Sequence, residues 1–295
     1  MTLAEVLGVR HALVQAPMAN VQPAALAAAV SEAGAMGTIA GATLTADELR
    51  AAIREVRAAT GAPFGVNLFA PPYLREDSFE VVLEERPAVF SFTFGPVDPA
   101  PLRAAGIVVA GTATTVAEAQ ALDVDVVVAQ GSEAGGHRGT FLGSFEDALV
   151  PVAELVPQIV DPVDVPVIAA GGIMDGGDIA RMLALGALGV QLGTAFLFTP
   201  ECAAPRAWLD ALRGHETVVT PAYSGRHGRA ARTPFLEELM AGPPPLPYPE
   251  QRAAVAARPG AEGFYLGGTG ARRARELPAA ELVRTLVAET EAARG

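Results

Sequence analysis

Two stretches decide how this chain is read: Pro166-Val167-Ile168-Ala169-Ala170-Gly171-Gly172-Ile173 and, beyond one alanine-rich stretch, Gly189-Val190-Gln191-Leu192-Gly193-Thr194-Ala195-Phe196. Each is a short β-rich run that ends in glycine where a helix or loop begins. The same unit recurs toward the N-terminus at His11–Gln15, Ala35–Ile39, Phe64–Asn67, Val89–Phe92, Ile107–Ala110 and Val124–Ala129. With Val167–Ala169 and Val190–Leu192 these runs number eight, separated by amphipathic stretches. Eight βα units are the closing number of an α/β (β/α)8 TIM barrel, although a doubly wound open sheet shows the same alternation. Barrels commonly build a phosphate site from the loops after strands seven and eight, with backbone N–H groups as donors. Both quoted glycine loops fall at those positions, which favours closure.

The intervening stretches carry helix-start signals: Pro23 for Ala24–Ala33, Thr45 for Ala46–Ala59, Thr115 for Val116–Leu122 and Ser144 for Phe145–Val156. Met182–Thr199 is a long uncharged run, but Gly186, Gly189, Gln191 and Gly193 interrupt it. It reads as a helix end, a turn and a buried strand, not as a membrane span. After Phe198 the rhythm breaks, a proline cluster fills Gly242–Pro249, and a helical pattern at Ala279–Ala293 closes the chain. The expected division is a barrel of residues 1–199 plus 272–295, with residues 200–271 as a small C-terminal helical cap or lid.

With 295 residues and 51% apolar content, the chain can bury a large core. Its 21 basic and 33 acidic residues leave a net charge of -12 with no basic run, which argues against nucleic acid or anionic membranes as partners. Every basic residue is arginine, which excludes a Schiff-base lysine and a P-loop lysine. Cys202 is the single cysteine, so intrachain disulfides, CxxC pairs and iron–sulfur clusters are excluded, and a reducing, cytoplasmic setting is expected. Glu5, Arg10 and His11 precede any apolar run, so no secretory signal is expected. The four histidines, His11, His137, His215 and His227, lack metal-ligand spacing with carboxylates, so no metal is expected. His11 reads as the start of the first strand, His215 as a surface cap residue and His227 as a solvent-exposed loop residue.

The most informative loop is Gln130-Gly131-Ser132-Glu133-Ala134-Gly135-Gly136-His137-Arg138-Gly139, directly after the sixth β-run. Its glycines let backbone approach a planar ligand and aim N–H groups at it. His137 is the candidate for proton transfer near neutral pH; its plainer role is a structural hydrogen bond. Arg138 is expected to point away and salt-bridge at the surface. Ala16, Pro17 and Met18 close the first strand and offer backbone groups to a heteroaromatic edge, and Asn67 at the end of the third offers a donor and an acceptor.

Gln15–Ala19, Gly65–Phe69, Ala129–Gly139, Pro166–Ile173 and Gln191–Phe196, in this order, resemble the nitronate monooxygenase family, formerly called 2-nitropropane dioxygenases. The resemblance runs from about Arg10 to the final helix. It implies non-covalent FMN, with Asn67 and Gln130 at the ring system and the backbone of Ala16, Pro17 and Met18 lining it. Gly135, Gly172 and the run Gln191, Leu192, Gly193 and Thr194 would hold the ribityl chain and phosphate, with Gly131, Gly136 and Gly171 as further cofactor contacts. His137 would be the acid/base or substrate-orienting group. The implied reaction takes a small nitronate and O2 to a carbonyl compound and nitrite. Independently of the resemblance, barrels commonly pair, which makes a homodimer compatible with this chain. Tyr223-Ser224-Gly225-Arg226 resembles a serine-glycine-arginine element of the family, while Gly268 stands where members often carry glutamine. Tyr265 either covers the flavin ring or packs.

Two other readings stay open. An NAD(P)H-dependent FMN reductase acting on enoyl thioesters or quinones shares the barrel and the flavin loops. A flavin-free, phosphate-binding barrel would use the same glycine loops, but it has no need of Asn67 with Gln130.

Overall fold

The computed structural model describes residues 2–295. In chain order the strands are β1 (Leu13–Gln15), β2 (Gly37–Ala40), β3 (Phe64–Phe69), β4 (Val89–Thr93), β5 (Val108–Ala113), β6 (Val126–Gln130), β7 (Gly136–His137), β8 (Val167–Ala170), β9 (Gly189–Leu192), β10 (Thr217–Thr220) and β11 (Gly228–Ala231). Eight of them form one parallel sheet in the order β1-β9-β8-β6-β5-β4-β3-β2. A parallel bridge between Val14 and Met36 joins its two ends. There Met36 N–H donates to the Leu13 carbonyl and Gln15 N–H to the Met36 carbonyl, each at 2.8 Å. The sheet is therefore a nearly closed TIM barrel containing all eight strands read from the sequence, with β1 beginning at Leu13 instead of His11.

The two-residue alternation of a strand sorts its side chains into two cores. Val127 and Ala129 of β6 face outward and join Val109, Val167, Ala169 and Val190 in the cluster under the helices. Val126 and Val128 face inward, with Val14, Ala110 and Ile168. Leu3 and Leu7, on the N-terminal helix Leu3–Leu7, belong to this inner cluster and plug one end of the barrel.

The helix Ala46–Ala59 matches its reading to the residue: Thr45 and Glu48 form a capping box, and Leu49, Ile53 and Val56 make the buried stripe. The stretch after Ser144 is different from its reading. Ser144 Oγ accepts from Asp147 N–H at 3.1 Å, but only turns follow, and the helix spans Val152–Val160. Pro151 disfavours helical backbone in the residue before it, so the helix restarts at Pro151 as N-cap.

Residues 200–271 contain helices Arg206–Gly214, Pro234–Met240 and Glu250–Ala256, and also the hairpin β10–β11. Strand β11 pairs antiparallel with β7, so this segment is stitched by main-chain hydrogen bonds to the loop above the barrel. Among the described residues, no helix is long and apolar enough to cross a membrane.

The last helix, Ala279–Arg294, packs against Gly176–Ala184 and Ala24–Glu32, closing the outer layer between the first and last barrel units. Leu282, Val283 and Leu286 are its buried residues in contact with that layer. Leu286→Ala is expected to destabilise the protein by about 2–5 kcal/mol, read as a lower urea midpoint at unchanged slope.

Candidate active site

Alternation also places a polar layer at the C-terminal ends of the strands. Gln130 shares the inward parity of Val126 and Val128, and with Asn67, Ser91, Thr112 and Gln191 it lines a cavity of about 200 Å³. Asn67 Nδ2 donates to Ser91 Oγ at 3.0 Å, across a register in which the two residues are directly paired. Ser91, Thr93 and Thr112 belong to no sequence motif. Their available signal is parity: once Asn67 and Gln130 are placed inward, paired positions on β4 and β5 follow.

Ala16, Pro17 and Met18 form another wall, held by a glutamine network. The fully buried Gln15 accepts from Thr38 N–H at 3.1 Å and from Gln22 Nε2 at 2.8 Å, and donates to the Ala16 carbonyl. Gln22 Oε1 in turn accepts from Met18 N–H at 2.9 Å.

Gly135, Gly136, Gly171, Gly172, Gln191, Leu192, Gly193 and Thr194 also line the cavity. Gly172 has a φ of 70°, and a Cβ there would lie 3.0 Å from the Glu133 Cβ. Among the described residues, no backbone carbonyl accepts from the amides of Gly172, Ile173 or Gly193. Gly268 N–H donates to Thr194 Oγ1 at 2.9 Å, and a side chain at position 268 would come within 2.8 Å of the Glu133 carbonyl, so glycine is required there. Gly131 does not line the cavity. A Cβ there would sit 2.4 Å from Val152 Cβ, so this glycine serves the packing of the following helix. Tyr265 packs beside Trp208 at 6.2 Å between ring centroids, and it is Trp208 that reaches the cavity.

The loop carrying His137 is fixed on several sides. Gln130 Nε2 donates to the His137 carbonyl at 3.1 Å and Gln130 Oε1 accepts from Gly139 N–H at 2.8 Å, leaving one donor and one acceptor of that amide for a ligand. The imidazole lies among Phe94, Tyr248 and Phe264, at centroid distances of 6.2, 5.5 and 6.0 Å, and its Nε2 is 2.9 Å from Ser224 Oγ. Desolvation, followed by the charges of Arg226 and Arg252, lowers its pKa from 6.5 to about 3, so the ring is neutral at pH 7.

Arg138 corrects the sequence reading: it is buried, 1% exposed, and forms no surface ion pair. Its Nη1 donates to the Gly131 carbonyl at 2.5 Å, and its Nη2 to the carbonyls of Gln130 and Ala148 at 2.9 and 2.8 Å. A charge six bonds from its backbone is the reason: the long side chain can reach inward, where carbonyls replace water. Burial, then the neighbouring Arg229, pulls its pKa down to about 10, which still leaves a cation. His227 also differs from its reading, being half-buried and stacked on Phe145 with ring centroids 3.4 Å apart. His215 is half-buried as well.

Comparison with known proteins bears directly on this cavity. The sequence description of the nitronate monooxygenase family matches residues 1–81 and 76–289. A nitronate monooxygenase of Pseudomonas aeruginosa is 42% identical over 96% of this chain and 97% of its own length. The chain belongs to the nitronate monooxygenase family. A second relative, from Paraburkholderia phytofirmans, is 38% identical over 97% of this chain and 94% of its own. Among solved structures, a nitroalkane oxidase from Streptomyces ansochromogenes superposes with a TM-score of 0.90 at 40% identity, covering 99% of this chain and 98% of that one. FabK from Thermotoga maritima superposes with a TM-score of 0.83 at 31% identity, covering 99% and 96%. Nitronate monooxygenases are flavin-dependent in general, and this member is an oxidoreductase.

The buried imidazole makes this family member's stability depend on pH. His137 has a native pKa of about 3, below its ordinary 6.5, so between those values the unfolded chain binds the proton that the native state refuses. Its contribution is present above pH 6.5 and is lost as pH falls through that window. Urea titrations should show the unfolding free energy of the wild type falling more steeply between pH 6.5 and 4 than that of His137→Gln.

Proposed function

We propose that this enzyme catalyses FMN-dependent oxidative denitrification of alkyl nitronates, consuming O2 and yielding a carbonyl compound and nitrite. The observation that carries the reading is the convergence, in one cavity, of a polar strand-end layer, a glycine-lined amide cradle and His137. The residues fit an FMN. Asn67 and the spare donor and acceptor of Gln130 suit the edge of its ring, with the backbone of Ala16, Pro17 and Met18 alongside. Unengaged amides at Gly172 and Gly193, with Gly135, Gly136, Gly171, Gln191, Leu192 and the Thr194 hydroxyl, suit a ribityl chain and a phosphate without any lysine. Gly131 has no part in this set. When bound, FMN supplies the electron-accepting centre and the reaction with O2.

The chain's own residues supply the rest. His137, neutral at working pH, orients a small substrate and holds or returns a proton where charge changes. Phe94, Tyr248 and Phe264 keep water from that side of the ring, so each polar contact inside counts for more. The charges of Arg226 and Arg252, which lower the His137 pKa, favour a small anion at the same place. The reading extends to residues 200–271 as a cap on a barrel of residues 1–199 and 272–295, to a cytoplasmic setting consistent with the lone cysteine, and to a homodimer.

The likeness to FabK favours a second reading, an FMN reductase that takes electrons from NAD(P)H. Anaerobic absorption spectra separate the two. Oxidised-flavin absorbance that bleaches with an alkyl nitronate and not with NADH is the expected result, whereas bleaching by NADH alone moves the enzyme to the reductase reading. No flavin spectrum after FMN is supplied would leave a flavin-free phosphate-binding barrel. In the same assay His137→Asn is expected to keep the flavin and lose about 10²-fold or more in turnover; retained turnover removes the acid/base role.

Gly172→Asp is expected to abolish flavin binding by setting a carboxylate at the proposed phosphate position. Gly172→Ala shares the backbone strain without the charge and should retain more flavin, so equal losses would point away from a phosphate at this loop.

A further inference from the structure

Ser224 lies in the turn between β10 and β11 and is completely buried. Its single hydroxyl proton is already committed. Ser224 Oγ lies 2.9 Å from the Arg226 carbonyl, which can only accept, so the hydroxyl donates there. The Arg226 N–H points back at the same oxygen at 3.4 Å. His137 Nε2 approaches it at 2.9 Å, and that contact needs a proton which the hydroxyl no longer has. The ring must supply it. A neutral imidazole carries one ring proton, so Nδ1 is left with a lone pair.

The surroundings of Nδ1 agree. Among the described residues, Arg138 Nε is the buried side-chain polar atom without a partner, and Nδ1 is not among such atoms although no group hydrogen-bonds to it. It is therefore not fully enclosed, on a residue that lines the cavity. The main chain of His137 is separately fixed by its pairing with Gly228 and by the Gln130 amide. With backbone and Nε2 both held, the ring has one orientation. The reverse arrangement, with the hydroxyl donating to the ring, would strip the Arg226 carbonyl of its donor and turn an N–H toward the cavity.

Building on the role proposed for His137, we propose that Ser224 is a positioning residue that holds the imidazole as its Nε2–H tautomer and presents the Nδ1 lone pair to the substrate. Nδ1 is then the atom at which this site holds or releases a proton. Ser224 touches neither cofactor nor substrate; it acts through the ring.

Long-range ¹H–¹⁵N spectra of the oxidised holoenzyme read the tautomer without reference to turnover, with the His137 signals identified by their loss in His137→Gln. The expected wild-type pattern is a neutral Nε2–H ring. Ser224→Ala should populate the other tautomer and lower kcat by about 10- to 100-fold, with flavin content unchanged and KM little altered. Ser224→Thr, which keeps the hydroxyl, should restore both the pattern and kcat. A wild-type Nδ1–H ring overturns the proposal, as does a Ser224→Ala enzyme whose spectrum and kcat match the wild type. An Nε2–H ring that shifts in Ser224→Ala, in an enzyme that does not turn over nitronates, retires the proposed activity and keeps the assignment of Ser224.

Discussion

A buried cation whose hydrogen bonds all end on main-chain carbonyls holds the centre of this protein together. Arg138 joins the carbonyls at the end of β6 to that of Ala148, and Glu118 and Glu133 favour its charge without forming a direct ion pair. Hydrogen bonds from a charged donor contribute about 1.5–3 kcal/mol each, roughly twice a neutral one. The loop from Gln130 to Thr140 has little regular structure of its own, so such bonds are what give it a shape. Arg229 adds a fork onto the Ser132 carbonyl, and Arg226 donates to the carbonyls of Arg138 and Thr140. On the far side the buried carboxylate of Glu118 accepts the N–H groups of Phe141 and Leu142.

Those clamps come from both parts of the chain. Arg138 and Glu118 belong to barrel units, whereas Arg226 and Arg229 come from the hairpin that follows β10. The pairing of β7 with β11 makes the hairpin a structural member of the site, because it fixes the backbone of His137 while Ser224 meets its ring. Arg226 also stacks over Phe94 at 3.7 Å, tying the same hairpin to the end of β4. A chain that uses arginine for all its cations has suitable tools for this, since a planar fork reaches two or three carbonyls where an ammonium is a point charge.

Much of the barrel was legible because its strands are buried on both faces and its helices on one. Continuous apolar runs such as Val126–Ala129 alternate with amphipathic stretches such as Ala46–Ala59, and those two periods are local properties. The glycines at the ends of β8 and β9 were legible for a similar reason, since close approach and positive φ leave few alternatives. Gly131 and Arg138 were misread, and their error has one source. A glycine that admits a ligand and one that admits a neighbouring helix look alike in sequence, and an arginine that reaches water and one that reaches carbonyls do too. The helix expected after Ser144 was lost to Pro151, whose steric effect on the preceding backbone outweighed the cap signal.

The sequence by itself determined the number and order of the barrel strands, the glycine loops that line the cavity, and the position of His137 between them, because hydrophobic period, glycine placement and strand-end geometry act over a few residues. Only the tertiary structure decided which way Arg138 points, that Ser91 and Thr112 complete the polar layer, and that Ser224 meets His137 across 87 positions of chain. Those contacts depend on ring closure and on the pairing of β7 with β11. No local pattern records them, because each joins residues whose only common property is the place to which folding brings them.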